Sequence, residues 1–210
     1  MKRIIIFLLF TPCVARAQED KVKIFTTGYI VRISGDSAYG KLAMLSPEES
    51  CDHIDFKTDS SETAETLDAG KVKFYKRGFD LYYSRHVVRP KSHIGNKDMF
   101  VKLIGTGKIK TYEYVYIESS GGGGMTMTST PFSNGAGMRF TSYPGSGSKD
   151  IVTEFYLEKE NVFKHITRLN YKGDLWSFFK GDKEMVTKVR KSEYKYESIP
   201  KMINEYNETH

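Results

Sequence analysis

Apolar and polar residues alternate with a period of two through most of the chain, and the period shifts towards helical spacing in the last forty residues. KVKIFTTGYIVRISGDSAYGKLAML reads as two strands around a turn. Ile30 and Ile33 stand near the end of the first, Ser34-Gly35-Asp36-Ser37 supplies the turn chemistry, and the second runs from Ala38 to Met44. In DHIDFKT, Ile54 and Phe56 fall on one face and Asp55 and Lys57 on the other, as in a strand with one solvated side. Pro47-Glu48-Glu49-Ser50 and residues 58–66 read as loops. Val72 and Phe74 alternate with lysines ahead of a tight Arg77-Gly78 turn, and Leu81 to Val88 returns until Pro90, which cannot donate to a ladder. Phe100–Ile104 and Ile109–Ile117 form the next hairpin around Gly105-Thr106-Gly107, and IVTEFYLEKENVFKHIT forms another around Glu160-Asn161.

Beyond residue 170 the apolar residues fall three and four apart. Leu175, Phe178 and Phe179 form one stripe, Met185, Val186 and Val189 a second, and Ile199, Met202, Ile203 and Tyr206 a third. Ser198 and Pro200 suit a helix entrance. Each stripe must be covered, and the preceding strands are the only large body to cover it. The expected class is α+β: an antiparallel β-sheet, a meander or a partly open barrel, followed by about three short C-terminal helices packed on it in the segment 170–208.

One stretch interrupts the pattern. From residue 119 to 150 the chain is rich in Gly, Ser and Thr, with four consecutive glycines at Gly121–Gly124. These are not a phosphate loop. No lysine follows them, and Gly105-Thr106-Gly107-Lys108 has Ile109 where a hydroxyl is needed. The excursion reads either as a mobile loop, the favoured alternative, or as a small hairpin of MTMTST and GMRFTSY around Asn134-Gly135. Met125, Met127, Met138, Phe140 and Tyr143 are too apolar for a purely solvated loop, and they mark it as the candidate binding surface.

The N-terminus adds an address. Lys2 and Arg3 precede the short apolar run Ile4–Phe10, and Ala15-Arg16-Ala17 is a small-x-small cleavage site, the layout of a secretory signal peptide over residues 1–17. The apolar run is far shorter than the roughly 20 residues that span a bilayer, and no later segment reaches that length. Thr11-Pro12 before Cys13 argues against lipidation. Cleavage after Ala17 removes Lys2, Arg3 and Arg16 and no acid, so the net charge falls from +6 to +3. The remaining basic residues are interleaved with acids, without a nucleic-acid footprint. Only Cys51 remains, so no internal disulfide can form and the 193 residues that follow the cleavage site, read as one β-rich domain over 18–210, must be held by their own core. Aromatics make up 13% of the chain, with 14 tyrosines, which suits strands.

Candidate chemistry is sparse. His53, His86, His93, His165 and His210 form no His-x-x-x-His set. Cys51, His53 and Asp55 alternate and would share one strand face, a slight metal signature that ordinary polar residues explain better. No Gly-x-Ser-x-Gly elbow is present. Trp176, next to Phe178 and Phe179, reads as core rather than as a sugar platform, and Asn207-Glu208-Thr209 as a chance sequon. Hence no catalytic residue, metal or cofactor is assigned.

GYIVRISGDSAYGKL, KVKFYKRGFDLYYSR, FVKLIGTGKIKTYEY and LWSFFKGDKEMVTKVRKSEYKYESIPKMINEYN resemble a functionally uncharacterised group of secreted, β-rich proteins of Bacteroidota. That group opens with a Gly-Tyr-Ile strand and a Gly-Asp-Thr turn, Ser37 replacing the threonine here, and closes with a helical segment ending in Tyr-Asn. The resemblance covers most of the chain after the signal, except the excursion. It implies a cell-envelope location and the strand-then-helix order, and it transfers no catalytic residue. The resulting expectation is an exported periplasmic or extracellular protein. It would be a non-catalytic binding or structural module for an envelope protein or glycan, with no nucleic acid partner and no transmembrane segment. The alternative is a secreted hydrolase with a site assembled from scattered His and acidic residues.

Overall fold

The computed structural model describes residues 23–87, 97–119, 123–132, 135–144, 149–191 and 194–210; for Ser119 and the strands between 123 and 144 it describes the backbone alone. The expected signal peptide, Pro90, His93 and Asn134 lie outside the described residues.

In chain order the elements are β1 (Phe25–Arg32), β2 (Ser37–Ala43), α1 (Pro47–Asp52), β3 (His53–Lys57), β4 (Glu65–Asp68), β5 (Val72–Arg77), β6 (Asp80–Val87), β7 (Lys97–Gly105), β8 (Lys110–Ser119), β9 (Gly123–Phe132), β10 (Gly135–Pro144), β11 (Lys149–Lys159), β12 (Val162–Ile166), α2 (Tyr171–Phe178), α3 (Lys183–Arg190), a 3-10 turn (Tyr196–Ser198) and α4 (Ile199–Thr209). Ten strands form one open antiparallel sheet in the order β12-β11-β8-β7-β6-β5-β1-β2-β3-β4. The expected strand-then-helix α+β class holds, with helices mostly C-terminal.

The sheet coils at one end. β4 lies four strand spacings from β5, about 19 Å in a flat sheet. Only residues 69–71 join them, a link that reaches about 14 Å at most. The strands must therefore curl until β4 faces β5, and Arg32 at the end of β1 reaches Glu65 of β4 at 3.3 Å. Gly28 and Gly40 sit opposite each other in the β1–β2 register. A Cβ at Gly28 would lie 2.0 Å from the Lys76 carbonyl oxygen, and one at Gly40 2.2 Å from that of Lys57. Glycine is required there because the neighbouring strands approach too closely for any side chain. Inside the coil Ile30, Leu42, Ile54, Leu67, Val72 and Tyr75 make a continuous core.

At the other end helices supply the cover. Ile109, Phe155, Leu157 and Ile166 on the sheet meet Leu175, Phe179, Met185, Val189 and all four apolar residues of the last stripe. Asn207 on α4 locks the β7–β8 turn. Its side-chain oxygen accepts from the Ile109 amide at 2.9 Å, and its amide donates to the carbonyls of Ile109 at 2.8 Å and Thr106 at 3.2 Å. A third cluster joins Cys51 of α1 with Tyr112, Tyr114 and Val115.

Several local expectations are corrected. Pro47–Ser50 is not a loop but the start of α1. Ser46 and Glu49 form a reciprocal capping box and Pro47 opens the first turn, a combination that holds even a six-residue helix. Glu65–Asp68 is a strand because Leu67 is drawn fully into the core. Ile33 lies outside β1 and is exposed. Asp55 does not face solvent: it is 2% exposed and bound by Lys23 at 2.7 Å and Thr66 at 2.5 Å. Trp176 is not core but 43% exposed, because Leu175 and Phe179 take the inward positions of α2.

Candidate binding site

β11 is paired unevenly. It runs against β8 from Lys149 to Glu158, but against β12 only from Phe155 to Lys159. Residues 149–154 therefore have a strand on one side and, among the described residues, none on the other. The β11–β12 ladder stops where the Tyr196 hydroxyl enters it, taking the Phe155 amide at 3.2 Å and donating to the Ile166 carbonyl at 3.2 Å. Burial pushes the Tyr196 phenol up to about 12, so it holds this proton at any ordinary pH.

Two hollows flank the uncovered stretch and share Glu118, Val152, Thr153 and Arg168. The first, about 390 Å³, is lined by Tyr116, Glu118, Val152, Glu154, His165 and Arg168 among others. The second, about 540 Å³, includes Ile151, Phe155, Arg168, Tyr196 and Glu197. Strand alternation explains where they differ: Glu154 lines only the first, and Ile151 and Phe155 only the second. Tyr116 and His165 reach the first hollow because they stand in register with Val152 and Tyr156 on the flanking strands.

Within the first hollow the Tyr116 hydroxyl donates to one oxygen of Glu154 at 3.2 Å. The other oxygen lies 3.2 Å from His165 Nε2. That approach is off the line a hydrogen bond needs, and each of the two atoms is buried without a hydrogen-bond partner among the described residues. The side chains of Glu154 and His165 are only 13% and 15% exposed. The imidazole is held flat, stacked on Tyr156 at 4.6 Å, which itself stacks on Phe163 at 5.0 Å.

A neighbouring cluster on the same face shows what saturation looks like. Glu158 accepts from Arg85 at 3.0 Å and from Tyr112 at 2.6 Å, with Lys110 at 3.4 Å, and Arg85 also lies over the rings of Tyr83, Tyr112 and Phe163. Burial alone would raise the Glu158 carboxyl, but the hydrogen bonds from Tyr112 and Arg85 and the adjacent positive charges hold it below its usual value. Burial and the Glu158 contact lift Tyr112 well above the ordinary tyrosine range. That cluster is structural and saturated, and the Glu154–His165 pair beside the first hollow is not.

The other candidates disperse. Cys51 belongs to α1 rather than to a strand shared with His53 and Asp55, and its sulfur accepts from the Val115 amide at 3.5 Å. His53 lies beside Asp52 and His86 beside Asp98, on different strands. Among the described residues no group of three or more His, Cys, Asp or Glu side chains could hold a metal ion, and no helix is long and apolar enough to cross a membrane. In the excursion, the backbone of β9 and β10 pairs as a separate antiparallel sheet, the hairpin alternative. Met127 falls opposite Phe140, Met138 opposite Ser129, Met125 opposite Ser142, and Tyr143 opposite Gly124. The side chains of Met125, Met127, Met138, Phe140 and Tyr143 lie outside what the structure describes.

From sequence His165 stands only as one of five dispersed histidines, and Glu154 has no assigned role. The usable signal was the hairpin itself: a turn at Glu160-Asn161 pairs Tyr156 with His165 and brings Glu154 onto the same face. The chain matches no family model, no curated protein and no solved structure.

Proposed function

We propose that this protein is an exported, non-catalytic binding module of the cell envelope, built on a partly open, coiled sheet, and that it captures a protein or glycan partner at the uncovered end of β11. The N-terminal pattern Lys2-Arg3, Ile4–Phe10, Ala15-Arg16-Ala17 supports export. The observation that carries the reading is the pair of hollows on either side of residues 149–154, one of them holding a buried carboxylate oxygen without a hydrogen-bond partner among the described residues. The excursion springs from the same place, since Ser119 pairs with Lys149 at its root.

The test is a photo-crosslinking amino acid at position 152, followed by recovery of adducts from the envelope fraction. A discrete adduct is expected, and it should be lost when residues 120–148 are replaced by an Asn-Gly turn that preserves the Ser119–Lys149 pair. A chain retained in the cytoplasm, or one with no adduct, overturns the proposal. One contact favours the hydrolase alternative: Glu154 and His165 stand 3.2 Å apart beside a hollow. Hydrolysis of an ester or glycoside panel that disappears in His165→Ala would establish it in place of the binding reading.

A further inference from the structure

We infer that the free edge of β11 takes up an extended, cationic polypeptide segment as an added strand. The inference rests on the binding-module reading and names its ligand class.

Four observations converge. First, residues 149–154 have no strand on their outer side among the described residues, a run of about 20 Å. The opposite sheet edge, β4, is only four residues long and is carried round by the coil, and the outer strand β12 is five residues long with Lys164 bonded to α2 at Ser177 and the Asp174 carbonyl. Second, the edge is set for pairing. The Phe155 amide points away from β8, to Tyr196, so by strand alternation the N–H and C=O groups of Ile151 and Thr153 point the same way. Ile151 is 67% exposed there, and residues 149–154 contain no proline and no bulge, devices that usually blunt an edge. Third, two adjoining hollows flank this edge, one reaching Glu154 and the other Ile151 and Phe155, so alternate side chains of an added strand have space to either side, which is how strand addition gains specificity. Fourth, the charge is complementary. Arg168 is taken by Glu197 at 3.0 Å, leaving Glu118 and Glu154 in the first hollow. A guanidinium or ammonium group entering there would lie beside the Glu154 carboxylate that lines the hollow, whose buried oxygen faces His165.

The test measures fluorescence anisotropy of the full chain with acetylated, amidated nine-residue peptides of alternating Val and Thr carrying a central Arg, Lys, Gln or Glu. The Arg peptide should bind about tenfold or more tightly than the Glu peptide, and Glu154→Gln should erase that preference. Thr153→Pro removes an edge N–H that the β8 ladder does not use, so it should weaken the Arg peptide about tenfold while leaving the thermal midpoint nearly unchanged. If that variant does not fold, two N-methylated peptides decide with the wild-type chain. Methyl groups on alternate residues block one edge of the peptide or the other, and only one of the two should bind. No binding by any peptide, equal binding of Arg and Glu peptides, or indifference to both Thr153→Pro and N-methylation overturns the inference. So does a dimer of the wild-type chain that Thr153→Pro dissociates, which gives the edge to a second copy. A crosslinked envelope partner together with indifferent peptides would sink strand addition alone; loss of both would sink the binding module as well.

Discussion

Around β1–β6 the sheet encloses its own core, with Leu42, Ile54, Leu67 and Tyr75 meeting inside the coil. Around β8, β11 and β12 the sheet stays open, and Phe179, Met202, Ile203 and Tyr206 arrive from helices to cover one face. A coil spends its edges on closure and leaves little backbone to offer. Cover by helices seals a face but not a margin, so the stretch of β11 without an outer strand among the described residues belongs to the helix-covered end. Side-chain polarity follows suit: Arg77 in the coiled region is bonded to the Ala43 carbonyl and Tyr82, whereas Glu154 and His165 at the open end are not fully engaged.

The strongest way to break this comparison is to cut each core separately. Leu67→Ala and Ile203→Ala each remove a fully buried side chain and should cost about 2–5 kcal/mol. If the two regions fold as one unit, urea unfolding of both variants stays a single transition; a transition that splits in either would make them independent. Next comes Gly28→Ala, which forces β1 away from the Lys76 carbonyl and should cost about 1–3 kcal/mol, with hydrogen exchange accelerated on β1 and β5 but not on β11. Asn207→Ala tests the helical side. It strands the Ile109 amide and should cost about 1–3 kcal/mol, seen first as faster exchange of that amide. The smallest effect is in acid. Glu158 is held below the usual 4.5, so its stabilisation is present above about pH 4.5 and is lost as the pH falls through its folded-state value. The stability gap between the native chain and Glu158→Gln should be full at neutral pH and shrink below about pH 4.5, and a gap that persists in acid would show that the carboxylate charge is not what stabilises.

Hairpins and helices were legible because each is specified within a dozen residues. Arg77-Gly78, Gly105–Gly107 and Glu160-Asn161 turn where expected, the last with positive φ of 51° and 68° that brings Lys159 opposite Val162. The apolar stripe from Ile199 to Tyr206 is buried as its spacing implies. The Tyr206-Asn207 pair near the C-terminus has a physical reason: Tyr206 packs on Phe179 and Asn207 clamps the β7–β8 turn. What remained unreadable depends on distant partners. Asp55 looks solvated until Lys23 and Thr66 close over it, and β12 pairs with only part of β11, from Phe155 to Lys159. The helix at Pro47 was readable from Ser46-x-x-Glu49, but its two buried residues, Ser50 and Cys51, give no periodicity to support it.

The grip of Asn207 on Ile109 joins positions 98 residues apart. A ribosome making this chain would complete the β7–β8 strands well before the residue that fastens their turn. Until then that turn is free to fray, and the sheet's last four strands wait on the helix that follows them. Folding of the open end should therefore be late and strongly dependent on α4, with the coiled end as the early partner.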